Sequence, residues 1–228
     1  MKTTLLLFTV LLLSFQSFQQ NLGLTAGGGF GRFYDRNDSG GHFFSEYHKQ
    51  NTYRAGLEIK DIRLDTSFNF KFYIGFEQYG GDFFTRDGGN GGSSTTQGSI
   101  TKNVLDLQVY PFNFRFLTHA TISVGLGLNI NIANRLSGEN SSWSAMTNPP
   151  GINSSKSNLK DIDGFVKPLN YYGTASLGYE FVFGKFILEP RYNVLLGLSK
   201  EFEKLEANAK SIRQSFTLSL FYKLKAEK

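Results

Sequence analysis

The residues with the most chemical potential in this sequence are Arg54, Glu58, Lys60, Lys71, Glu77, Asp106, Glu180, Glu189, Arg191 and Arg213. Each sits in a run where every second residue is apolar, and each falls on the polar parity of its run. Successive side chains of a strand point to opposite faces, so these charges share one face of a sheet. A lone charge enclosed there is costly to desolvate, so the set must pair internally. Two chemistries fit: a static ion network that fills an interior and fixes register, or a narrow proton-linked or ion path. The first is the expectation, because a small barrel has an interior just wide enough for side chains.

Other chemistry is thinly represented. The histidines are His42, His48 and His119; the first two lie near Asp38, Ser45 and Glu46 in one polar segment, and His119 lies at a predicted turn. No spacing among them matches a nucleophile–base pair or a metal signature, so no catalytic, metal or cofactor residue is assigned, no cofactor is expected, and the chain is not read as an enzyme. Cysteine is absent, which removes thiol chemistry and disulfides. The glycine-rich stretch Gly80–Gly98 lacks the GK[ST] of a phosphate cradle and precedes no helix. The N-x-S sequences at Asn37, Asn140 and Asn153 are read as composition. Trp143, in the longest predicted loop, is a weak candidate for contact with a partner or glycan.

The elements that position the charges are strands. In Lys185–Leu198 (KFILEPRYNVLLGL), Phe186, Leu188, Pro190, Tyr192, Val194, Leu196 and Leu198 share one parity. Glu189, Arg191, Asn193 and Gly197 share the other, with Ile187 and Leu195 as exceptions. Thr66–Tyr79 sets Phe68, Phe70, Phe72, Ile74 and Phe76 against Asn69, Lys71, Tyr73, Gly75 and Glu77. His119–Asn134 is the most regular run, and Ser211–Leu224 places Arg213 and Lys223 opposite Phe216, Leu218, Leu220 and Tyr222. Further runs are read at Leu22–Tyr34, Thr52–Asp61, Ile100–Phe112 and Phe165–Phe183. Asp35–Gln50, Gly80–Gly98 and Ser137–Gly164 are read as long polar connections and Glu201–Lys210 as a charged loop, with Ile62–Asp65, Pro111–Leu117 and Gly184 as short links.

About eight strands result, joined by connections that alternate long and short. That rhythm belongs to an all-β, closed antiparallel up-and-down transmembrane barrel with short periplasmic turns and long extracellular loops. A soluble lipocalin-like barrel would reverse the faces, crowding the Phe residues of Thr66–Tyr79 into a narrow interior. Ser123, Gly125, Gly127 and Gly178 fit the inside better. Tyr34, Tyr53, Tyr79, Phe112, Phe183 and Tyr222, near strand ends, are expected in interfacial girdles.

Composition agrees. The 228 residues include 23 Phe, 11 Tyr and 25 Gly, and mean hydropathy is −0.25. Beyond the first segment no apolar run approaches the roughly 20 residues of a membrane helix. That first segment, with Lys2 before Leu5–Leu13 and then a polar stretch, reads as an export signal over residues 1–20, leaving 21–228 as one barrel domain. The net charge of +5 is dispersed, unlike the basic face of a nucleic-acid binder.

Leu105–Phe116 (LDLQVYPFNFRF), Ala120–Ile132, Ala175–Leu198 and Ser215–Leu224, with Arg191–Asn193 followed by Gly197 and Leu198, resemble the small PorT-type outer-membrane β-barrel family of Bacteroidetes. Such barrels commonly end on an aromatic residue, whereas this chain continues through Lys225–Lys228. The resemblance implies an outer-membrane barrel; the secretion-system role behind the family name is not carried across.

The expected function is an integral outer-membrane barrel of structural or interaction type. Its interior is closed by side chains, its partners are outer-membrane lipid, lipopolysaccharide and possible envelope proteins, and it is a monomer that binds no nucleic acid. A barrel enzyme acting on lipid, a secretion accessory and a soluble periplasmic ligand-binding barrel are the alternatives.

Overall fold

The computed structural model describes residues 20–34, 43–65, 68–89, 92–144, 153–160, 166–203 and 209–224. The proposed signal segment, apart from Gln20, lies outside them, as does His42. The strands are β1 (Asn21–Tyr34), β2 (Phe43–Asp65), β3 (Phe68–Gly89), β4 (Gly92–Phe116), β5 (Ala120–Ser144), β6 (Asn153–Lys160), β7 (Leu169–Tyr179), β8 (Phe181–Phe183), β9 (Phe186–Gly197) and β10 (Lys210–Lys223).

The sheet closes on itself. Each stave pairs antiparallel with the next in sequence, and β10 returns to pair with β1 along its whole length. Strands β7 and β8 form one stave along β9, and β6 extends only the outer part of β5, so the ring has eight staves. Its register is fixed. Pairs run around the wall through Leu22, Ile59, Phe72, Val109, Leu126, Gly173, Leu196 and Ile212 and return to β1 at Arg32. The path re-enters β1 ten residues from where it left, so the shear is ten. That stagger tilts the staves by roughly 40° and leaves a narrow interior.

The two faces are inverted relative to a soluble barrel. Phe76 is 65% exposed and Leu126 62%, and the outward parity of every stave carries comparable apolar side chains. The inward parity is polar and buried. Ile187 and Leu195, the two apolar exceptions in β9, point inward and are buried.

Prolines mark the irregularities. Pro111 has no N–H for the ladder and falls at a register shift between Val109 and Phe112. The extra residue switches parity, so Phe112, Phe114 and Phe116 all face outward and β4 continues to Phe116. The short link expected from Pro111 to Leu117 is therefore mostly strand, and the turn itself is Leu117–His119. Pro190 lies opposite the break between β7 and β8. There Glu180 leaves the ladder, its backbone N–H bonding to His119 O at 2.8 Å, and its side chain turns into the barrel. Gly184, at φ 59°, makes the tight turn from β8 to β9 that its sequence position suggests.

Other expectations change as well. Ile62–Asp65, read as a short link, is the end of β2, whose ladder to β3 continues to Asp65 through register shifts, and β2 already begins at Phe43, within the polar stretch Asp35–Gln50. Gly80–Gly98 is a long hairpin, with β3 and β4 paired out to Gly89 and Gly92, because backbone hydrogen bonds extend a ladder without any core. Ser137–Ser144 likewise remains in β5. Glu201–Lys210 is not wholly a solvated loop: Glu201 and Phe202 are buried inside the barrel mouth. Among the described residues these long elements project from one end, and the links at the opposite end include the short turns at 117–119 and 184–185.

Candidate functional site

The interior is built in three layers. At the short-turn end Ile62, Ile187 and Phe221 are buried, and the Phe221 ring fills space left by Gly23, where a Cβ would meet it at 2.4 Å. At the long-loop end Phe33, Tyr79, Phe83, Ile100, Val104, Leu136, Val166, Phe202 and Ala209 form an apolar cap. Between them stands a column of charge. Among the described residues, six acids and six bases are buried there: Glu58, Glu77, Asp106, Glu180, Glu189 and Glu201, with Arg54, Lys60, Lys71, Lys102, Arg191 and Arg213.

The column reads as successive rungs from the short-turn end. Lys60 Nζ lies 2.6 Å from Glu180 and 2.8 Å from Glu189, and sits 4.1 Å over the Phe221 ring. Arg115, half-exposed at the rim, reaches Glu180 at 2.8 Å. Arg191 grips Glu58 with both terminal nitrogens, the Nη1–Oε1 bond being 2.5 Å. Lys71 lies 3.7 Å from Glu58 and donates to Ser123 at 3.0 Å.

Higher up, Arg54 approaches Asp106 at 3.4 Å and stacks 4.4 Å over Tyr73. Asp106 also accepts from Gln108 at 2.6 Å and from the Tyr172 hydroxyl. Arg213 bonds Glu77 at 2.5 Å with its guanidinium between the rings of Tyr79 and Tyr172, 4.2 and 4.5 Å away. Lys102 closes the series at 2.6 Å from Glu201, which also accepts from Tyr79 OH at 3.0 Å.

All the charges singled out from the sequence thus lie inside and meet one another. Lys102 and Glu201 complete the set. Lys102 shares the inward parity of Asp106, a signal present in the sequence. Glu201 had no such signal, because it lies beyond β9 and enters only when the segment folds into the mouth. Lys223, on the same parity as Arg213, is half-buried at the short-turn rim. Tyr79, expected in an outer girdle, is buried in the interior, because its parity matches Lys71 and Glu77.

Small residues make room for large ones. A Cβ at Gly127 would stand 2.0 Å from the Tyr172 ring, and one at Gly178 would meet Arg191 Cγ at 2.5 Å. The gap among Thr25, Arg54, Glu58, Tyr110 and Arg191 has no room for a water molecule. A buried ion pair adds little stability over well-packed apolar residues, whereas removing one partner is costly.

The remaining candidates stay apart from the column. His48 is exposed on the outer wall beside Asp82, and His119 contacts the Tyr179 ring at the short-turn end. Among the described residues no group of His, Asp and Glu is placed to hold a metal. Trp143 is 45% exposed near the tip of the long hairpin, its backbone paired with Ser93 and Ser154.

No protein-family model matches the chain. No curated protein matches it either. Among solved structures it is similar to Neisserial surface protein A, with 7% identity, 87% of this chain and 96% of that chain covered, and a TM-score of 0.38. It is also similar to the attachment invasion locus protein Ail of Yersinia pestis (11% identity, 90% and 99% covered, TM-score 0.33). A third likeness is to the outer membrane protein OprG from Pseudomonas aeruginosa (10% identity, 92% and 98% covered, TM-score 0.35). The barrel itself is established by the closed pairing of this chain's own strands.

Proposed function

We propose that this chain is an integral outer-membrane β-barrel of structural or interaction type, with a closed interior and no catalytic role. One observation carries the reading: the charged side chains are buried inside, and the large apolar ones are bare outside. A soluble protein rarely exposes more than a few hundred Å² of contiguous apolar surface. Here the apolar band circles every stave, and in water it would drive aggregation. In a bilayer the same band is solvated by lipid, and the closed ladder leaves no unpaired edge. The long hairpins then lie outside the cell and the short turns in the periplasm. Export by the segment 1–20 belongs to this proposal, as does membership of the PorT-type group, which rests on the sequence resemblance alone.

Fractionation and gel migration test the reading. The protein is expected in outer-membrane fractions and to run faster unheated than boiled, as intact barrels do. Recovery from the soluble periplasm would overturn it. In planar bilayers the folded chain is expected to give no conductance steps, and steady conductance would favour the ion-path reading of the charged column.

A further inference from the structure

The outer wall carries a feature that the closed interior does not explain. At the upper edge of the apolar band, Phe30 and Arg32 of β1, Lys49 of β2, and Ile212 and Gln214 of β10 line a groove of about 120 Å³. Arg32 and Lys49 are exposed, no acid lines the groove, and neither cation is in an ion pair among the described residues. Below Phe30 the outward face of β1 is low, with Gly28 and then Ala26. Gly28 pairs with Tyr53 on one side and Phe216 on the other, and Ala26 with Ala55 and Leu218. Tyr53, Phe216 and Leu218 are exposed and flank a floor of Gly28 and Ala26, with Ala55 beside Ala26. The result is an apolar trough below Phe30, with two cations above it that meet no acid among the described residues.

We propose that this groove binds the phosphate of an outer-leaflet glycolipid of the lipid A type, with an acyl chain lying in the trough. The proposal rests on the membrane reading above and names the lipid contact that reading implies. Two cations that meet no acid among the described residues complement a phosphate that carries no amine of its own. A zwitterionic phospholipid brings its own cation and gains less. The trough distinguishes a lipid from free phosphate, because only a lipid places a chain below its charge. The height fits as well: the cations stand at the long-loop edge of the band, where headgroups of the outer leaflet lie. Lys or Arg beside an anionic headgroup increases retention several-fold per cation.

The full chain, refolded into phosphatidylcholine vesicles containing lipid A or its dephosphorylated form, is extracted in mild detergent and its retained lipid counted by native mass spectrometry. Wild type is expected to retain lipid A about tenfold or more over the dephosphorylated form. The double variant R32Q/K49Q loses that preference, whereas R86Q, at an exposed cation on β3, keeps it. Gly28→Leu fills the trough and lowers retention of both lipids. Equal retention by wild type, an undiminished preference in R32Q/K49Q, or displacement of the lipid by free inorganic phosphate would overturn the proposal. Heat-modifiable migration is recorded on every sample. Its loss in wild type counts against the membrane barrel, and its presence without lipid discrimination counts against the groove alone.

Discussion

Arg191 on β9 and Glu58 on β2 clasp each other across the barrel, although β10 and β1 stand between their strands in the wall. The contact is bidentate, and the same Arg191 also reaches Ser219 and lies 3.9 Å from Glu189. Glu58 is 1% exposed. A pair of this kind spans the seam where β10 closes on β1, so it reports closure as well as local register.

Removing one partner breaks the bidentate pair and leaves the other charge buried with only a more distant counter-ion, Lys71 at 3.7 Å from Glu58 or Glu189 at 3.9 Å from Arg191. Arg191→Met or Glu58→Met is expected to destabilise the folded barrel by about 3–5 kcal/mol, measured by urea unfolding in micelles. The double substitution is expected to cost clearly less than the sum of the two, since neither member is left facing the gap of its bidentate partner. Additive losses would show that the two side chains act independently.

The interior is filled to contact at Gly127. Gly127→Val forces Tyr172 out of its place beside Asp106, and a loss of roughly 1–3 kcal/mol is expected. Combining it with Tyr172→Ala should restore part of that stability, because the ring is what the new side chain meets. If Gly127→Val unfolds at the wild-type urea concentration, the close approach is not a feature of the folded protein.

Leu126 stands near the middle of the apolar band. Leu126→Arg is expected to lower the stability of the lipid-inserted barrel by about 2–4 kcal/mol. In a soluble barrel the same exposed position would tolerate arginine within about 0.5 kcal/mol. Refolding yields and urea midpoints in lipid vesicles separate the two outcomes.

Glu201 lies beyond the end of β9, above the apolar band. Burial pushes its carboxyl up, but Lys102 at 2.6 Å, helped by Ser211 and Arg213, pulls harder and holds it below the usual carboxylate value. A folded-state value below the unfolded one adds stability above the unfolded value of roughly 4.3, and that stability is lost as pH falls through the folded value. Wild type should therefore exceed Glu201→Gln in urea midpoint at neutral pH, with the gap closing on acidification. A gap that widens in acid would reverse the assignment.

Much of the wall was legible because side-chain parity is a local property. Phe72, Ile74 and Phe76 alternate with Lys71, Tyr73 and Glu77 in any strand, and a one-residue slip would turn the whole set over. Pro111 shows the limit of that reading. As a chain breaker it suggested a link, but within a paired sheet it made a bulge, and the strand ran on with its faces exchanged. Gly80–Gly98 erred the same way: its composition suggested a loop, yet cross-strand hydrogen bonds continued the hairpin.

The sequence by itself determined which face of each stave is charged, and that those charges must be enclosed and paired. Only the tertiary structure decided the partners. Arg191 and Glu58 are 133 residues apart, and Lys60 and Glu180 are 120 apart. Whether they meet depends on the number of staves, the stagger of ten and the closure of β10 on β1. The same closure brought Glu201 and Phe202 into the mouth from a segment whose composition reads as solvated. Alternation is written in neighbouring residues, whereas contact across a lumen depends on the geometry of the whole ring.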